Sequence, residues 1–149
     1  MDMLPAEIRT ACLSDSEAIG RLCGQLGYPQ AIPTVNGRLA EILGKDDQVI
    51  YVAVTAGSNE ICGWVHALRI CYLESEPFAE IGGLVVDAGQ RRQGAGRALM
   101  QAAEAWAVTQ GLKSVRLRSN ILREGAHRFY QSIGYVIEKS QYTFVKDLG

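Results

Sequence analysis

Apolar residues recur along this chain with two periods, and the switch between them marks out the elements. After a short extended stretch at residues 7–11, Ala18, Ile19, Leu22, Cys23 and Leu26 share one face of a 3.6-residue repeat. Glu17, Arg21 and Gln25 fall elsewhere. Ser14 and Glu17 have the S-x-x-E spacing of a capping box, and Gly27 follows the last apolar position, so a helix is predicted between them. Residues 28–33 contain two prolines and predict a loop. Val35, Leu39, Ile42 and Leu43 predict a second amphipathic helix, stopped at Gly44.

The β-branched run at residues 48–55, a turn at 57–60 and a longer strand over 61–72 predict a hairpin. A turn over 73–77 carries Glu74 and Glu76, read as solvated loop charges. Residues 78–87 form the next strand. Gly82 and Gly83 lie inside it, and adjacent glycines in a strand point to a bulge or to a ligand's close approach. A long helix follows, running to about Gln110, with Ala95, Ala98, Leu99, Ala102, Trp106 and Thr109 on one face and Gly111 beyond its end. Residues 114–118 alternate as a strand, and 120–124 form a loop. Ala126, Phe129, Tyr130 and Ile133 give a short helix ending at Gly134. Residues 135–146 predict a terminal strand. The order β-α-α-β-β-β-α-β-α-β implies an α/β fold with helices on both faces of a sheet. The strands on either side of the long helix should be parallel neighbours joined by a right-handed crossover.

The 149 residues suit one domain spanning 1–149, and 48% hydrophobic residues supply a core. A net charge of −1 sets up no global field for nucleic acid, so any anion site must be local. The apolar runs are too short to span a membrane, and the first ten residues lack a basic-then-apolar signal pattern, so the expected location is cytoplasmic. Cys12, Cys23, Cys62 and Cys71 form no C-x-x-C pair and no zinc spacing. No metal is expected, and buried free thiols are.

The chemistry concentrates in residues 79–100, where an apolar strand runs into a turn with two arginines and two spaced glycines, and a helix begins. The opening N–H groups of a helix have no intrahelical partner, and together with the helix dipole they attract phosphate. A basic surface turn is the plainer alternative. A dinucleotide fingerprint needs a third glycine where Leu99 stands, and no P-loop string exists. What remains is R-x-x-G-x-G, satisfied by Arg91, Gly94 and Gly96.

That pattern, after a strand and opening a long helix, resembles the acetyl-CoA motif of the GNAT superfamily of N-acetyltransferases. Asn120, and then Tyr130, Gly134 and Tyr135 in a Tyr-x-x-x-Gly-aromatic spacing, are similar to that family's later signature, and residues 8–22 look like its first strand and helix. The resemblance covers nearly the whole chain in order. It implies a central mixed, mostly antiparallel sheet flanked by about four helices, and transfer of an acetyl group from acetyl-CoA to a primary amine of a small molecule or peptide by direct attack on the thioester. It further implies that the backbone of Gln93, Gly94, Ala95, Gly96 and Arg97 holds the pyrophosphate, with Arg91 and Arg92 adding positive charge. Leu84, Val85 and Val86 would pair with the pantetheine arm like an added strand, and an N–H there would steady the oxyanion. Asn120 would touch the cofactor or, as a plainer reading, cap a turn.

By the same resemblance Tyr130 is the acid that protonates the departing thiolate and Glu80 the candidate base, with a core aromatic and a surface carboxylate as their plainer readings. A homodimer is a further expectation, the apolar terminal strand pairing across chains. His66 shares a face with Trp64 and Leu68, which makes a core or pocket histidine the default, and His127 points off the apolar helix face. Two other readings remain open on the sequence: a non-catalytic acyl-CoA-binding or interaction module on the same fold, and a different nucleotide or phosphate binder.

Overall fold

The computed structural model describes residues 7–91 and 94–149. Among these, β1 (Glu7–Thr10), α1 (Ser16–Leu26), α2 (Ile32–Leu43), β2 (Gln48–Val54), β3 (Ile61–Ile70), β4 (Phe78–Val86), α3 (Ala95–Thr109), β5 (Val115–Leu117) and α4 (Glu124–Ser132) follow in order. The strands lie in the order β1-β2-β3-β4-β5. β1 to β4 pair antiparallel, and β5 joins β4 in parallel, with α3 as the connection a parallel pair requires. This is the mixed, mostly antiparallel sheet that was expected.

Strand alternation sends Ile50, Val52 and Val54 to one face, where they close a buried cluster with Ile19 and Leu22 of α1 and Val35 and Leu39 of α2. α3 covers the other face. A Cβ on Gly63 would stand 3.1 Å from Leu99 Cδ1, so the helix approaches the sheet closely there. The buried stripe of α3 is Ala95, Leu99, Met100, Ala103, Trp106 and Ala107. This corrects the expected face: Ala98 and Ala102 are half-buried and Thr109 is exposed. Two large neighbours, Leu99 and Met100, are both fully buried, which turns the stripe toward Ala103 and Ala107.

Local chemistry moves three boundaries. The capping box is not Ser14 with Glu17. Asp15 Oδ2 accepts from Cys12 N at 2.9 Å, within a 3-10 turn that precedes α1. Arg9 donates to both Asp15 oxygens, at 2.8 and 2.9 Å. That bidentate bond holds the buried Asp15 carboxyl below the usual carboxylate range and ties β1 to the start of α1. Pro33 lies in the first turn of α2 rather than in the loop, where its missing N–H costs nothing. Residues 135–149 form no strand. Val136, Ile137, Tyr142, Phe144 and Val145 are 69–93% exposed, and a β-forming side chain makes a strand only where a ladder partner and a surface receive it. The cysteines also differ from expectation: Cys62 is buried and Cys23 half-buried, but Cys12 and Cys71 are exposed.

The chain divides into two compact units, Met1–Leu117 and Arg118–Gly149. The sheet and α1 to α3 belong to the first, and α4 to the second. Among the described residues no helix is long and apolar enough to cross a membrane, and no group of three or more His, Cys, Asp or Glu could hold a metal ion.

Candidate active site

β4 pairs with β3 along its length, but β5 meets it only at Ala79, Glu80 and Ile81. Beyond that point β5 no longer covers the edge of β4, including the stretch from Leu84 to Val86. The chain then enters a loop held from α1. Arg21 Nη1 donates to Asp87 Oδ2 at 3.0 Å, Arg21 Nη2 to Ile61 O at 3.2 Å, and Ala88 N to Gln25 Oε1 at 2.8 Å. The Gly89 N–H, donating to Asp87 Oδ1 at 3.0 Å, is the main reason the Asp87 carboxyl is held below its ordinary range, with Arg21 second. Exposed Arg91 donates through Nε to Val86 O at 3.2 Å. Arg92 and Gln93 lie outside the described residues.

Gly94 caps α3 at φ +87°, a conformation that costs an ordinary L-residue about 1–2 kcal/mol. A Cβ there would meet nothing within 4 Å, so the space over the turn is open. Ala98 N makes a helical bond to Gly94 O at 3.0 Å. The N–H groups of Ala95, Gly96 and Arg97 precede it, in the first turn whose donors the helix itself leaves over. Open space above a positive helix end fits a pyrophosphate.

The paired glycines of β4 form the expected bulge. His66 pairs with Gly83 and Ala67 with Ile81, leaving Gly82 as the extra residue. A Cβ on Gly82 would lie 3.2 Å from His66 Nδ1, and one on Gly83 would lie 2.8 Å from Trp64 Cη2. Both glycines therefore turn toward the side of β3 that carries Trp64 and His66, and Gly82 is exposed. Glu80 pairs with Leu68 on that side and is half-buried. His66 is half-buried, its Nε2 is 2.8 Å from Gln48 Oε1, and burial lowers its pKa. Glu74 and Glu76 are exposed loop residues.

In the second unit, Asn120 Oδ1 accepts from Leu122 N at 2.9 Å, the turn-capping role given above as its plainer reading. His127 Nε2 is 2.8 Å from Asn120 O. Tyr130 on α4 packs edge-on against Phe129 and Tyr135, with ring centroids 5.2 and 6.1 Å away. Burial raises its pKa, and Arg123 partly opposes this. The first unit thus brings Glu80, Leu84, Val85, Val86, Arg91, Gly94, Ala95, Gly96 and Arg97 into one strand–turn–helix. Sequence reasoning missed Arg21 and Gln25, whose i, i+4 spacing on the polar face of α1 was their only local signal, and the bond from His66 to Gln48.

A strand edge that opens beside a glycine-capped helix, on a mixed sheet, is the architecture of acyl-CoA-dependent acyltransferases. A sequence model of the acetyltransferase (GNAT) family matches residues 13–135, and the chain belongs to that family. It is 42% identical over 109 residues to YhdJ, an uncharacterized N-acetyltransferase of Bacillus subtilis strain 168, across 72% of this chain and 75% of that protein. Among solved structures, it resembles the aminoglycoside 6'-N-acetyltransferase AAC(6')-Ih of Acinetobacter baumannii with a TM-score of 0.84 at 19% identity, over 97% of this chain and 99% of that one. It is similarly close to AAC(6')-Iy bound to the bisubstrate analog CoA-S-monomethyl-acetylneamine, with a TM-score of 0.84 at 20% identity, over 95% and 98% of the two chains. At those identities the solved structures speak for the fold. The protein is an N-acetyltransferase, and acetyl-CoA is its acyl donor.

Proposed function

We propose that this acetyltransferase modifies the primary amine of a small molecule or peptide by direct attack on the acetyl thioester. The observation that carries the reading is the stretch of β4 from Leu84 to Val86 that β5 does not pair, running into the Gly94-capped start of α3. An extended pantetheine arm can add to that edge as a strand would. The pyrophosphate then reaches the N–H groups of residues 93–97, with Arg91 and Arg92 supplying positive charge and Asn120 a further contact implied by the family resemblance.

An alkylamine is protonated at neutral pH and must lose a proton before it attacks. Glu80, on β4 just before the bulge, receives the ammonium and serves as its base, directly or through a water. Tyr130 is the acid: a phenol kept protonated by burial can give its proton to the departing sulfur. The two units act as one transferase domain over 1–149, a reading supported by the family match, which runs across their boundary. Acetyl-CoA is an intracellular metabolite, which supports a cytoplasmic reaction. The exposed apolar side chains of residues 136–145 support a homodimer, and sedimentation at a monomer mass of 16.2 kDa would refute it.

The test is release of free CoA from acetyl-CoA in a panel of small amines, an aminoglycoside and a lysine-containing peptide. Release that depends on one class of amine is expected. Folded protein that binds acetyl-CoA and acetylates none of them would refute the amine-acceptor reading.

A further inference from the structure

The hydrogen-bond phase of β4 decides which of its main-chain groups face the side on which β5 stops. Gly63 lies opposite Val86, and the next pair along, Cys62 and Asp87, is bonded, Asp87 N donating to Cys62 O at 2.7 Å. Opposed residues of an antiparallel ladder alternate between bonded and non-bonded pairs, so Val86, and Leu84 two residues before it, point their N–H and C=O away from β3. Earlier in the strand Ala79 faces β5, its N–H donating to Ser114 O at 3.0 Å. The extra residue at the Gly82 bulge moves this alternation from odd to even positions, and Val85 pairs with Trp64 instead. Leu84 and Val86 are therefore the residues that can pair with an added strand.

Val86 has a side-chain partner there. Arg91 Nε donates to Val86 O at 3.2 Å. The chain between the two is turned back and tied down: Gln90 N donates to Asp87 O at 2.8 Å, Gly89 N to Asp87 Oδ1 at 3.0 Å and Ala88 N to Gln25 Oε1 at 2.8 Å. Those N–H groups are committed to the loop itself. An exposed guanidinium thus lies on the last carbonyl of β4, three residues before the Gly94 cap of α3. One side chain stands between the strand and the turn.

We propose that Arg91 selects acyl donors that carry a phosphate, by holding the Val86 carbonyl until an anion at the Gly94 turn draws the guanidinium away. The inference rests on the reading above, in which the arm adds to β4 and the pyrophosphate meets the start of α3. An arm that pairs as a strand needs the Val86 carbonyl for one of its amide N–H groups, and so competes with Arg91 for it. A short thioester that ends at the pantetheine hydroxyl displaces the guanidinium into water. A CoA thioester displaces it onto a phosphate oxygen, where the bond joins two opposite charges rather than a charge and a neutral carbonyl. The same side chain therefore opposes one class of donor and favours the other.

The test measures the affinity of acetyl-CoA by calorimetry, and of acetyl-pantetheine by displacement of acetyl-CoA, for wild type, Arg91→Ala and Arg91→Lys. Arg91→Ala should bind acetyl-CoA about ten-fold more weakly and acetyl-pantetheine roughly three-fold more tightly than wild type, at unchanged circular dichroism. Arg91→Lys keeps the charge and lacks the Nε donor, so it should hold acetyl-CoA within about three-fold of wild type and gain acetyl-pantetheine as the alanine variant does. Opposite signs for the two donors are what the competition requires. An Arg91→Ala variant that weakens both would make Arg91 a support of the strand, and one with unchanged acetyl-pantetheine affinity would make its bond to Val86 inert; either overturns the proposal. Failure of the underlying reading looks different: acetyl-CoA affinity untouched by both Arg91→Ala and Gly94→Trp would remove the donor from this turn, and the proposal with it.

Discussion

Single residues divide here between those that bond through side chains and those that matter for lacking one. Gly82, Gly83 and Gly94 act by absence: the first two let the His66, Leu68 and Trp64 side chains pack where a Cβ would crowd them, and the third allows a left-handed turn under open space. Their importance was legible in the sequence, because a glycine announces its own backbone requirement. Roles that depend on a distant partner were not. Nothing near Gln48 reveals that it bonds a ring 18 positions away, and Arg21 gives no sign of Asp87, 66 positions on. Tyr130 is the residue whose side chain should register most clearly in turnover. Tyr130→Phe keeps the packing against Phe129 and Tyr135 and removes only the hydroxyl. Turnover should fall about 100-fold with acetyl-CoA affinity unchanged, measured by CoA release and by calorimetry. A variant with undiminished turnover would leave the acid role without support.

At the level of elements, periodicity located both helices before the hairpin, the hairpin, the bulged strand and the long helix, because each buries a face that its own residues define. It failed where a boundary is set by something else. Asp15 rather than Ser14 receives the capping bond because Arg9 brings charge to it. β5 is only three residues long, and its shortness, which leaves the later part of β4 unpaired by β5, follows from tertiary pairing rather than from composition. Residues 135–149 carry a strand's composition without a strand's partner. α1 has a second task beyond the core, since Arg21 and Gln25 hold the loop that leads into the glycine turn. Arg21 and Asp87 are both partly exposed, and such pairs contribute about 0.2–1 kcal/mol. Arg21→Ala should therefore raise the KM for acetyl-CoA roughly two- to five-fold while leaving kcat within about two-fold, in steady-state kinetics. A drop confined to kcat would show that the contact acts on chemistry instead.

Across the whole molecule, the strand, turn and helix at residues 79–100 were readable as a candidate anion site because they are consecutive in sequence, and the family match over 13–135 supports acetyl-CoA as the ligand we propose for it. Contacts between strands were far less legible: Gln48 and His66 come together only after β2 and β3 have paired. Acetyl-CoA recognition by the Gly94 turn is the claim on which the rest depends, and titration calorimetry on wild type and Gly94→Trp tests it most directly. The indole would occupy the open space over the turn and strain a backbone held at φ +87°. Saturable binding of acetyl-CoA to wild type, weakened at least ten-fold in a Gly94→Trp variant of unchanged circular dichroism, is the expected result; equal affinity in the two folded proteins, or no binding to wild type, would contradict it.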